Sequence, residues 1–455
     1  MEFIRVDTSN EPIKDEDGDI FVSRTDINDN KNIPSSSGIV LVVQNETSGI
    51  TLETLSKIGK TGYLYNFLED IDLNDWYGKD GHPEYWEPIE YTADTGIPFN
   101  GNNTTISNLR LKGGDVRYSG FFSSVGRRIW GTPITIELDP EWTVTLTGNK
   151  EQVDIGGFAG FVDRSKYCEA VTVKGKLNIV DDRGTPDYAI IGSQSVLNVG
   201  GVVGDVLSFK NNAQRYPENS FEGGNGFVDI TVETKADDVR VGGFAGSYRG
   251  QMYWGYTTRV KSDITVNANS TTTRVGAFIG LAGNPNYSYE FGRIQKGIVE
   301  GAIIVNNDKE NSVNYVSGLV AYISAPELVT NGMNITGPLI NENISYVKSI
   351  ELNTAVGAVN HVARILAGYE KIEDDGALRS EPTRLVSDAD SDGDPKKRLN
   401  KAYSGMTVTV NGETASFAPT GITNINELFN GVDIAESEPV VELPEETETP
   451  IEETI

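Results

Sequence analysis

Two patterns of apolar and polar positions alternate through the middle of the chain. The first is a strict period of two: in "VTVKGKLNIV", Val171, Val173, Leu177 and Ile179 fall on one face, and Thr172, Lys174, Lys176 and Asn178 on the other. That is the signature of a strand with one buried side. It recurs in "VDITVETK", "VKSDITVNAN" and "VEGAIIVNN". The second is apolar-Gly-Gly-apolar-apolar-Gly, seen as "IGGFAG" from Ile155, "VGGVVG" from Val199 and "VGGFAG" from Val241. Looser copies are "VGAFIG" from Val275, "VSGLVA" from Val316 and "VGAVNH" from Val356, and "YSGFFS" from Tyr118 is an earlier one.

The third residues of these copies are 120, 157, 201, 243, 277, 318 and 358, a mean step of about 40 residues. Between the glycines and the alternating strand the spacing varies, reaching "DVLSFKNNAQRYPENSFEGGNG" after Gly204. Length variation at a fixed place in a repeat marks surface insertions. Equivalent strands stacked about 4.8 Å apart would bury one apolar column and pair every backbone group with its neighbours. The expectation is an all-β, right-handed parallel β-helix with one coil per repeat, so that six steps rise about 29 Å. Glycine weakens a strand, so its recurrence needs a geometric cause: a corner with φ > 0, or coil faces too close for a Cβ.

Upstream, "DIDL" at residues 70–73, "WEPI" at 86–89, "FNGNNTTISNL" at 99–109 and "GFF" at 120–122 follow one another in order. This succession resembles the lead-in of GLUG-type glycine-repeat proteins, and the resemblance covers residues 52–368. Ala277 and Ala358 stand where that pattern has its second glycine. The resemblance implies a right-handed β-helix serving as a surface or adhesin-like scaffold of bacteria and their phages. It implies no reaction, because fold alone never does.

The ends read differently. Residues 1–48 mix polar stretches with "GIVLVVQN" and are expected to form an N-terminal cap or docking segment, since an open β-helix needs its edges covered. The helix is expected over 49–380. A small C-terminal β unit follows over 381–433, with a two-residue hairpin at Asn411-Gly412. Residues 434–455, rich in Glu, Thr and Pro and without a basic residue, read as an acidic disordered tail.

A formal net charge of −28 argues against nucleic acid as a partner. No apolar run reaches the roughly 18 residues that span a bilayer, so no membrane insertion is expected. The first residues lack the basic and apolar regions of a secretory signal, which points to folding in the cytoplasm or to a removed leader. The single cysteine, Cys168, sits in a strand-like run and reads as a buried structural thiol.

Candidate chemistry is sparse. Only two histidines exist, His82 and His361, and no nucleophile–base or zinc spacing is visible. Asp70 and Asp72 share a strand face, as paired carboxylates of a glycosidase would; Asp72 beside Leu73-Asn74 reads equally as turn chemistry. In "DADSDGD", Asp388, Asp390, Asp392 and Asp394 with Gly393 copy the first half of a calcium loop. Leu399 stands where the closing acid belongs, and Lys396 and Lys397 add positive charge, so a solvated acidic turn is the competing reading. "DEDGD" at residues 15–19 is a shorter fragment of the same kind. Finally, Tyr253, Trp254 and Tyr256 occupy the same insertion as Tyr287, Tyr289 and Phe291 one repeat later, a possible ring ladder for glycans. Rings that seal the insertion onto the helix are the alternative.

The expected function is a non-enzymatic structural or attachment protein of a phage virion, such as a fibre, spike or decoration. It would be made in the cytoplasm, displayed on the particle and bound to other virion proteins and to host glycans. Trimerisation would cover outward apolar residues such as Ile304. A secreted bacterial surface adhesin and a polysaccharide lyase or hydrolase are the alternatives. No cofactor is expected apart from calcium at the acidic loop.

Overall fold

The computed structural model describes residues 65–67, 69–79, 81–91, 99–101, 103–125, 133–163, 171–184, 194–207, 224–249, 257–283, 294–324, 340–369, 400–415 and 432–434, with strands at 2–5, 39–42 and 49–50. Three parallel sheets of 7, 8 and 14 strands form its walls. Each coil takes one short strand from the first sheet and one from the second, then a long or two-part strand from the third. Thus Gln152–Gly156, Ala159–Asp163 and Val171–Asp181 make one coil, and Val196–Gly200, Val203–Leu207 and Asn225–Thr234 make the next. The result is a parallel β-helix with one coil per repeat.

Register turns the alternating pattern into continuous columns. In the third sheet Val144, Ile179, Val232, Val266, Val305, Leu352 and Val410 follow one another from coil to coil. In the first sheet the column is Ile155, Val199, Val241, Val275, Val316 and Val362. Buried members of all three sheets belong to one apolar cluster, the expected outcome when each coil can bury its face only against the others.

The glycine step lies at the tight corner from the first sheet to the second. Phe158, Val202, Phe244, Phe278 and Leu319 stack there, each donating its backbone N–H to the carbonyl of the next; the Phe244 and Phe278 rings are 5.4 Å apart. Of the two causes open in the sequence, close approach is the operative one. Gly156, Gly157 and Gly160 are not among the residues with positive φ. A Cβ on Gly156 would lie 2.5 Å from the Ala159 carbonyl oxygen, and one on Gly160 2.6 Å from the Ser119 nitrogen.

Two repeat positions need correction. Ser119 pairs with Ile155, which sets Gly120 level with Gly156 rather than Gly157. In the last coil, pairing of Val316 with Val362 and Val320 with Leu366 puts the corner at Ala363-Arg364. Gly357, in "VGAVNH", belongs to the turn before that strand, with φ of 81°. Burial of Ile365 and Leu366 fixes this register.

At the C-terminal end, Lys401–Tyr403 and Thr407–Val410 extend the third sheet in parallel register, so the small β unit is built directly on the solenoid. Only Glu413–Thr414 reverses, through Asn411 and Gly412 at φ of 51° and 80°, as expected of a two-residue hairpin. At the other end, Ile39–Val42, within the expected capping strand, pairs antiparallel with Glu2–Arg5.

Candidate functional site

Connections of variable length follow the second-sheet strands. Residues 126–132, 164–170, 208–223, 250–256, 284–293 and 325–339 each lie in the chain between a second-sheet strand and the next third-sheet strand, and are outside the described residues. Tyr253, Trp254, Tyr256, Tyr287, Tyr289 and Phe291 fall in two of these connections and lie outside the described residues, as do Cys168 and the loop carrying Asp388, Asp390, Asp392 and Asp394. In chain order the two aromatic groups belong to corresponding connections of adjacent coils.

Asp70 and Asp72 are described, and each is held by the backbone. Asp70 accepts from the Thr105 N–H at 2.7 Å. Asp72 caps the short 3-10 turn Leu73–Asp75, accepting from the Asn74 N–H at 2.9 Å and from Asn108 Nδ2 at 2.8 Å. His82 stacks on Trp76 with centroids 3.6 Å apart. Among the described residues no group of three or more His, Cys, Asp or Glu converges as metal ligands.

A different constellation runs along the first sheet. The residue two positions before the glycine step, on the face opposite the core, is Tyr118, Asp154, Asn198, Arg240, Arg274, Tyr315 and His361 in successive coils. Its C-terminal half is cationic and aromatic. Arg240 Nε donates to Asp238 at 2.9 Å, and Arg274 Nη1 pairs with the same carboxylate. The Arg274 guanidinium lies 5.1 Å from the Tyr322 ring centroid. Tyr315 contacts Tyr322 at 4.6 Å and stacks on His361 at 4.7 Å. Burial, opposed by Asp238, pulls the Arg274 guanidinium below its usual pKa, and burial lowers His361 as well.

Reading the sequence for catalytic pairs misses this stripe, because its members lie some 34 to 46 residues apart. The available signal is their constant offset from each glycine step. Two arginines, two tyrosines and a histidine along one stripe can stack on rings and attract anionic groups. No family model, no curated protein and no solved structure matches this chain.

Proposed function

We propose that the chain is a non-catalytic attachment protein, a β-helical stalk carried on a phage particle as fibre, spike or decoration, with its recognition loops displayed along one corner. The observation that carries this reading is that the connections of differing length fall, coil after coil, between a second-sheet strand and the next third-sheet strand of a solenoid in continuous register. Such an arrangement spaces the strands that flank successive connections about 4.8 Å apart per coil and lets each connection vary without disturbing the core. The aromatic groups of 250–256 and 284–293 are the proposed contacts for host glycans.

The polymer-cleaving alternative has less support: Asp70 and Asp72 are tied into backbone hydrogen bonds. A homotrimer stays part of the proposal, although Ile304, 37% exposed, is flanked in register by Thr265 and Glu351. Mass measurement in solution decides that point.

The main test is adsorption of the purified full chain to host cells, compared with a variant carrying Tyr253→Ala, Trp254→Ala, Tyr287→Ala and Tyr289→Ala. Adsorption should be lost with the unfolding midpoint unchanged. Undiminished adsorption, or shortening of surface polysaccharide by the purified protein, would overturn the reading.

A further inference from the structure

The stripe opposite the core meets the second sheet across a seam, and the meeting is offset by one coil. Tyr118 stacks on Phe161 of the next coil at 5.1 Å, and the Arg274 guanidinium lies over Tyr322 of the next coil. In the second sheet Phe161, Asp205, Ser247, Leu281 and Tyr322 are register neighbours. The same offset sets Asp154 beside Asp205, and both act on the Tyr118 phenol. That half of the seam is shut, since Asp154, Asn198, Asp205 and Ser247 are all 0% exposed. The C-terminal half reaches the surface.

There two cations share one anion. Arg240 Nε and Nη2 donate to Asp238 Oδ2 at 2.9 and 2.5 Å, and Arg274 Nη1 pairs with Oδ1 of the same carboxylate. Asp238, Arg240 and the Tyr322 and Tyr315 phenols are the charged and titratable groups that act on Arg274. One positive charge is therefore left in excess, within a chain of net charge −28. Arg274 Nε has no hydrogen-bond partner, and among the described residues neither Arg274 Nη2 nor Arg240 Nη1 has an acceptor. The two arginine side chains keep 18% and 21% of their surface, so the pair is partly desolvated and still within reach of a ligand. Partial burial strengthens its pull on an anion.

A run of rings continues from the pair toward the end of the sheet. Tyr322 contacts Tyr315 at 4.6 Å, and Tyr315 stacks on His361 at 4.7 Å with the ring planes 7° apart. His361 is exposed and lies in the terminal strand of the first sheet. It is two coils, or about 9.6 Å, beyond Arg274. A planar carboxylate fits the donor fork of a guanidinium, and the apolar face of a sugar ring fits an aromatic one.

We propose that this end of the seam binds an acidic saccharide. Arg240 and Arg274 receive the carboxylate of one sugar, and neighbouring sugars lie against Tyr315 and His361. The local excess of positive charge admits an anionic polymer that the chain as a whole repels. The site is separate from the rings of 250–256 and 284–293 and does not depend on them.

The test is isothermal titration of the full chain with trigalacturonate and with sialyllactose, each compared with an uncharged counterpart, the methyl ester and lactose. At least one acid should bind about tenfold more tightly than its counterpart, and added salt should weaken it. Arg274→Ala leaves the Arg240–Asp238 pair in place and should cost about tenfold in affinity; His361→Ala should cost about threefold. His361→Ala, at an exposed position, stands in if Arg274→Ala fails to fold. The variant with Tyr253, Trp254, Tyr287 and Tyr289 changed to Ala should bind as the parent does, which separates this site from the proposed insertion contacts. The proposal is overturned if neither acid binds better than its counterpart, or if affinity is undiminished in Arg274→Ala and His361→Ala. Loss of binding in the insertion variant alone would place the sugar at the insertions and overturn it equally.

Discussion

Arg274 reaches from the first sheet over the ring of Tyr322 in the next coil while sharing the carboxylate of Asp238 with Arg240. One acid thus holds two guanidinium groups, all three largely buried. Removing the acid leaves two partly desolvated cations side by side, whereas removing one arginine leaves an intact pair. Asp238→Ala should therefore cost about 3 kcal/mol and Arg274→Ala about 1 kcal/mol. Urea unfolding of the two variants checks the order, and equal losses would contradict it.

The corner glycines predict a sharp contrast within one residue type. A Cβ on Gly160 would collide with backbone atoms of Ser119 and Asp154, which cannot move without shifting a neighbouring coil. At Gly412 a Cβ meets open space, and only its φ of 80° resists substitution. Gly160→Ala should cost more than about 3 kcal/mol or abolish soluble expression, and Gly412→Ala about 1 kcal/mol. Matched thermal melts of the two variants make the comparison.

Asn307 ties three parts of two coils together inside the solenoid. Its Nδ2 donates to the Ser270 carbonyl, Thr273 Oγ1 and Asn314 Oδ1, and its Oδ1 accepts from the Ser270 and Lys309 N–H groups. Asn307→Ala strands several of these buried groups and should cost about 3 kcal/mol. Asn353, in the partly exposed ladder above Asn306, should cost about 1 kcal/mol. Chemical denaturation that ranks them in the opposite order would refute this account.

His361 makes a pH prediction. Burial holds its imidazole below the usual 6.5, so between the folded value and 6.5 the unfolded chain binds the extra proton. Stability then rises with pH through that window, is fully present above 6.5 and is lost as pH falls below it. The drop in midpoint between pH 7.5 and pH 5 should be smaller in His361→Gln than in the parent protein. Identical drops would show that His361 does not report on folding.

The repeat, the strand faces and the hairpin were legible in the sequence because they depend on local periodicity. Val171, Val173, Leu177 and Ile179 are buried as their alternation requires, and Asn411-Gly412 turns as its backbone preference requires. The last corner was not legible. Val356-Gly357-Ala358 imitates the glycine step, but Val356 is 87% exposed, and the stack of Val362, Ile365 and Leu366 wins the register.

By itself, then, the chain's pattern determined a β-helix of one coil per repeat, since burial at period two and a recurring step leave few other ways to stack. Only the tertiary structure decided what the glycines do and which residues meet across the seam. Asp154 and Asp205 are 51 residues apart in sequence, and an offset of one coil, set by how closely two backbones approach at the corner, makes them neighbours.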